Sequence, residues 1–258
     1  MRLGAARRTL MAASITIPLL AAALTMAVTT VAGAPAAWLS GWLAPPGPVR
    51  LVEPSGTLWR GSALIAVSDG RQALLLPGRV AWRVDPVALF SGRLGATLTH
   101  PLAAGEVRIS GDRHGVDLAA GTARLPAAWL VLFGAPFNTL RPGGELLLAW
   151  SDLSVGNATF SGRIEAQWRD ARSALSPVAP LGDFRLVASG TGATGDLVLS
   201  TLSGPLLLEG RGRMADRVVR FNGTANAEPA MRPRLNALIG ILGARAGDHV
   251  TLDWALQI

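Results

Sequence analysis

From Thr9 to Val49 the chain carries no charged side chain, and within that span Leu10 to Val31 is apolar or small almost throughout. At 1.5 Å of rise per residue, about 22 helical residues cross a hydrocarbon core of ~30 Å. The run therefore predicts one transmembrane helix over 9–33, with Pro18 tolerated because membrane helices re-satisfy a kinked turn. Arg2, Arg7 and Arg8 precede it. Positive flanks stay cytoplasmic, which makes 1–8 a cytoplasmic tail and places the rest of the chain on the periplasmic side of a bacterial inner membrane. Trp38 and Trp42 suit the far interface. Ala32-Gly33-Ala34 mimics a signal-peptide cleavage site. The apolar run is longer than a signal peptide needs and Pro35 follows the site, so a retained anchor is expected.

Beyond the anchor, Pro35, Pro45, Pro46, Pro48 and Pro54 mark residues 34–54 as a stiff extended stalk. A β-rich periplasmic domain is expected over 55–258. Short β-type runs alternate there with glycine-marked turns. They are Thr57–Val67, Gly78–Val84, Arg93–Thr99, Glu106–Ser110, Gly115–Arg124, Glu145–Trp150, Thr159–Trp168, Asp183–Ala188, Asp196–Thr201, Pro205–Arg211, Val218–Ala227 and His249–Leu256. Two helices interrupt them. Met231, Leu235, Leu238, Ile239 and Leu242 make one apolar helical face, with Pro233 near its start and Gly243 as its stop. The other begins at Pro126 and ends near Phe133.

The two helices expose a repeat. Val116 to Ala123 aligns with Val218 to Ala225, sharing Gly-Thr-Ala. In each copy a Pro-containing helix follows, then Gly144-Glu145 or Gly247-Asp248, then a strand ending at Trp150 or Trp254. Trp59-Arg-Gly61 aligns with Phe160-Ser-Gly162. The period is too long for a solenoid unit. The expected fold is mainly β: curved antiparallel sheet from two related halves, 57–150 and 159–254, each with one short helix, plus the N-terminal transmembrane helix.

The chemistry-bearing residues nominate no site. The net charge of +7 comes from 24 basic residues, all arginine, against 17 acidic ones. Three arginines precede the anchor, and the rest form no basic stripe interleaved with aromatics, so nucleic acid is not an expected partner. With no cysteine, thiol catalysis, disulfides and Cys-ligated metals are excluded. His100, His114 and His249 show no paired ligand spacing and sit in or beside turns. There is no G-x-S-x-G. Gly190-Thr-Gly192-Ala-Thr-Gly195 fits the dinucleotide fingerprint, but a strand follows it where a helix is required, so it reads as a hairpin loop. Trp59, Trp82, Trp129, Trp150, Trp168 and Trp254 read as sheet-core anchors, with an apolar groove or partner interface as the alternative. No catalytic, cofactor-binding or metal-binding residue is expected.

Several motifs together resemble the type II secretion system protein N family. They are Ser55-Gly-Thr-Leu-Trp-Arg-Gly-Ser62, Leu76-Pro-Gly-Arg-Val-Ala-Trp-Arg83, Leu89-Phe-Ser-Gly-Arg-Leu94, Phe221-Asn-Gly-Thr-Ala225 and Leu235-Asn-Ala-Leu-Ile-Gly-Ile-Leu-Gly243. The resemblance implies a non-enzymatic, single-pass inner-membrane accessory component. It would support export of folded periplasmic proteins across the outer membrane by contact with other secretion components. The competing expectation is an AsmA-like lipid carrier, whose Leu74-Leu-Leu76, Leu146-Leu-Leu148 and Leu206-Leu-Leu208 would line a groove for a lipid ligand.

Overall fold

The computed structural model of the chain describes residues 33–38, 49–68, 73–133, 137–157, 159–215, 218–246 and 249–257. Apart from Gly33, the expected membrane helix over 9–33 lies outside them. No helix among the described residues is long and apolar enough to cross a membrane.

The strands form one antiparallel meander. β1 (Val49–Gly56), β2 (Arg60–Ser68), β3 (Ala73–Asp85), β4 (Leu94–Thr99) and β5 (Glu106–Gly111) pair in sequence order, with α1 (Pro86–Phe90) between β3 and β4. Next, β6 (Gly115–Leu118) and β7 (Gly121–Pro126) run end to end. A 3-10 helix (Ala127–Phe133) and α2 (Phe137–Leu140) lead into β8 (Pro142–Trp150) and β9 (Leu153–Gly156), which return alongside. Gly115 faces Gly156, Leu118 faces Leu153, Gly121 faces Trp150 and Pro126 faces Glu145, so one register runs through both pairs. The interruption is bridged by side chains. The Trp150 indole donates to the Ala119 carbonyl at 2.9 Å, and the Ala120 N–H donates to Asp152 Oδ1 at 2.8 Å. Backbone groups that lose a ladder partner must find another.

The meander continues through β10 (Phe160–Ser173), β11 (Gly182–Gly192), β12 (Gly195–Ser203), β13 (Leu206–Ala215) and β14 (Val218–Ala227). Helix α3 (Arg232–Leu242) then leads to β15 (Ala244–Ala246) and β16 (His249–Gln257), and β16 pairs with β14. Strand β10 holds β8 and β9 on one side and β11 on the other, with a bulge at Arg169-Asp170 where Asp170 takes a φ of +50°.

Directly opposed residues share a face, so the registers sort the whole sheet. The row Ala123, Leu148, Ala166, Leu186, Leu199, Gly210 is apolar. The neighbouring row Arg124, Leu147, Gln167, Arg185, Ser200 is mostly polar. This alternation is what a sheet with one solvated face requires.

The two rims differ. At one, the 3-10 helix, α2, the loop 174–181 and α3 close over the apolar face. Leu235, Leu238 and Ile239 of α3 pack there with Leu140, Leu181, Phe184, Leu206, Ala225 and Val250 into the main core. Pro233 lies in the first turn of α3, as expected. At the opposite rim the strands join mostly through tight turns. A smaller core there joins Ala36, Ala63, Val80 and Trp82.

Parts of the span 34–54, expected as an extended stalk, are built into the domain. Residues 49–54 belong to β1, and Pro54 is tolerated because it falls where the β1–β2 register breaks, between Val52 and Ser55, on a strand at the edge of the described sheet. Ala34 and Ala36 are buried, and they bond to the β1–β2 connection: Ala36 N–H to Gly56 O at 3.0 Å, and Leu58 N–H to Ala34 O at 2.8 Å. The two Gly-Thr-Ala copies both sit on strands leading into a helical insertion. Their registers differ, since Gly121 faces Trp150 whereas Gly223 faces Leu252. The Gly247-Asp248 step lies outside the described residues.

Candidate partner-binding face

The tryptophans are committed to the sheet. Trp82, Trp150 and Trp168 point to the apolar face, and each indole N–H donates to a backbone carbonyl. The acceptors are Leu58 at 3.0 Å, Ala119 at 2.9 Å and Gly143 at 2.9 Å. Two of the rings cover a glycine on the neighbouring strand. Gly61 lies opposite Trp82 and Gly121 opposite Trp150, and a Cβ at either glycine would run into the indole. Such a pairing gives the glycine the packing it lacks. Trp59 and Trp129 are half-buried. The side chain of Trp254 lies outside what is described.

The histidines do not meet. His100 stands at the β4–β5 end of the sheet, where its Nδ1 accepts from Leu102 N–H at 3.1 Å and burial lowers its pKa below the ordinary range. His114 is exposed in the β5–β6 turn at the opposite rim, 3.5 Å from Asp112. His249 begins β16. Among the described residues no group of three His, Asp or Glu is placed to hold a metal ion. The Gly190 to Gly195 fingerprint is the β11–β12 hairpin, closed by Thr191 N–H to Thr194 O at 3.0 Å with Gly192 at φ +84°. Without a helix N-terminus after it, the loop has no pyrophosphate cradle.

What the fold does assemble is a polar face with open depressions. One, of about 950 Å³, spans β3 to β10. The row Asp85, Gly95, Ser110, Asp117, Ser154, Ser161 crosses it in register. Beside that row stand Arg60, Arg83, Thr97 and Arg108, again as cross-strand partners. Arg60 and Arg83 are directly opposed, an arrangement that costs stability between like charges. No individual strand signals this row, because it exists only once six strands are in register.

A second depression, of about 900 Å³, lies over β7, β8 and β10. Glu165 is its best-connected charge. It accepts from Arg185 Nη2 at 2.7 Å and Gln167 Nε2 at 2.9 Å, with Arg163 at 3.8 Å. The Arg185 hydrogen bond, seconded by Gln167, holds the Glu165 carboxyl below the ordinary glutamate range. A depressed pKa contributes stability that is present above the unfolded value of about 4.5 and lost as pH falls through the lower folded value. Glu165→Gln removes that contribution. The denaturation midpoint of the variant is expected to fall less than that of the parent between pH 5 and about pH 3. Parallel pH profiles for the two proteins would show that Glu165 carries no such linkage.

A family profile described as type II secretion system (T2SS), protein N matches residues 47–252. No curated protein matches the chain significantly, and neither does any solved structure. The match begins just before β1 and ends within β16, so it takes in nearly the entire meander with both helical insertions. The chain belongs to the type II secretion system protein N family.

Proposed function

We propose that the chain is a non-enzymatic accessory component of type II secretion, anchored in the inner membrane by residues 9–33. Its β-domain would lie in the periplasm and work through contacts with other secretion components. The observation that carries this reading is the family match over the domain. The polar face supports it: its depressions are open and lined in part by charged side chains, and Arg60 opposite Arg83 offers two cations to an acidic partner segment. Each half also runs five strand lines before its helical insertion, with β6 and β7 counted as one line, consistent with duplication.

The experiment is a secretion assay in cells lacking residues 55–258. A substrate enzyme should still reach the periplasm but accumulate there, with its extracellular fraction reduced. Normal extracellular levels in the deletion strain would remove the chain from that pathway. The lipid-carrier reading finds support in the continuous apolar face. Its weakness is that both depressions described above lie on the polar face. Native mass spectrometry of the purified chain separates the two, since lipid retained by most molecules would overturn the partner-only reading.

A further inference from the structure

The rim of tight turns carries an apolar surface that the core does not use. Helix α1 is the clearest case. Asp85 caps it by accepting from Val87 N–H at 2.9 Å, yet none of its residues is buried. Phe90 is 94% exposed and Val87 70% exposed. Helix α1 lies over the polar face, where Ala88 packs against Gly95, and at the same rim Leu94, Val116 and Val155 lie on the apolar face in one cross-strand sequence through Gly111, each about half exposed. The other end of the apolar face is closed, with Phe184, Leu206, Ala225 and Ala227 at 3% exposure or less. Exposed apolar side chains gathered on both sides of one rim mark an interaction site.

The course of the chain says what covers it. Residues 34–36 pair antiparallel with 56–58, so Ala34 lies furthest out at this rim and Ala36 nearer the body of the sheet. Gly33, the exit point of the described chain, therefore lies at this rim, and the sequence before it includes the uncharged apolar run Leu10–Val31. The exit is close to α1. Leu58 N–H donates to Ala34 O and Val84 N–H donates to Trp59 O, each at 2.8 Å, and α1 begins two residues beyond Val84. At about 4.8 Å per strand spacing, the exit and α1 are on the order of 10 Å apart. Trp38, 54% exposed, flanks the exit, where an amphipathic ring suits a membrane interface. Of the carboxylates at this rim, Asp85 caps α1, Asp112 accepts from His114 N–H at 2.7 Å and Asp196 lies 3.8 Å from Arg213. Arg93 and Arg113 are left exposed beside the apolar side chains.

We infer that the turn rim of the β-domain seats on the bilayer surface from which the chain emerges, with Val87, Phe90 and the Leu94–Val116–Val155 row inserted at the headgroup level. The domain is then held against the membrane in one orientation, helix rim outward. This inference rests on the anchored reading above. An amphipathic surface of this sort buries its apolar side about 5–10 Å into the interface.

The chain lacks cysteine, so a single substitution labels a single place. The full chain with Phe90→Cys, carrying an environment-sensitive fluorophore, is reconstituted in phosphatidylethanolamine–phosphatidylglycerol vesicles. Ser203→Cys, exposed at the helix rim, serves as reference. The expected result is a blue-shifted Phe90→Cys label, quenched by nitroxide lipids, with an iodide quenching constant several-fold lower than that of the Ser203→Cys label. Equal iodide access at both labels, in chains that co-float with the vesicles, overturns the seated rim and leaves the anchor standing. Chains that fail to co-float overturn the anchor, and the seated rim with it.

Discussion

Leu235→Ala is expected to lower the unfolding free energy by about 2–5 kcal/mol, among the largest effects of any conservative change in this chain. Leu235 has no exposed surface, and it belongs to the core in which α3 meets side chains from β10, β11, β13, β14 and β16. Removing three carbons there forfeits their transfer free energy and opens a cavity. The loop 174–181 and the short α2 are tied down around it, for example by Ser173 Oγ donating to Leu140 O at 2.6 Å, so the site cannot readily collapse. Urea denaturation of the full chain in detergent checks it: the midpoint should fall while the slope stays constant. An unchanged midpoint would mean that α3 adds little to the sheet. The exposed neighbour Ile241 provides the contrast, since Ile241→Ala should shift the midpoint far less.

Gly182→Val is expected to prevent accumulation of the folded chain. Gly182 opens β11 at φ +143°, and a Cβ built on it would overlap the Ser203 carbonyl oxygen. Across the gap Gly204, at φ +101°, is equally confined, its own Cβ position lying 2.8 Å from Leu181 O and closer still to the Gly182 backbone. Two strands thus approach with no room for a side chain on either, beside the buried Leu181 and Leu206. Valine adds backbone strain of about 1–3 kcal/mol to an overlap that only a backbone shift can relieve. Gly105→Ala separates the two contributions. Gly105 also has positive φ, +100°, but its Cβ position is open, so only the conformational cost of about 1–2 kcal/mol applies. Thermal melting and membrane-fraction abundance of the two variants make the comparison. Similar losses at both positions would show that the close approach of Gly182 to Gly204 is unimportant.

The sheet was largely legible because one face is apolar throughout. Val218–Ala227 has the bounds read from the sequence, and the periodicity of Met231 to Leu242 locates α3 within one residue. The errors have local causes. Proline density concealed β1, since Pro54 argues against a central strand but not against an edge. Helix α1 spans five residues, too few for a period to register. Strands β6 and β7 read as one run because their break is sustained by the Trp150 and Asp152 side chains, some thirty positions away. The polar troughs escaped notice for a similar reason. Arg60, Arg83 and Arg108 become neighbours only through inter-strand register, which no single segment encodes.

The meander has a consequence for how the domain comes into being. Nearly every strand pairs with the strand just before it in the chain, so the sheet needs few contacts between distant segments. Loop closure is costly in proportion to the logarithm of loop length, and short closures favour fast assembly. Such a domain can be built hairpin upon hairpin while the chain is still being delivered from its N-terminal side. The steps that must wait are the two closures across helical insertions, β7 with β8 and β14 with β16. The main core is completed only at the second of these, when α3 and Val250 arrive together. The event that locks the fold is therefore also the last strand pairing of the meander along the chain.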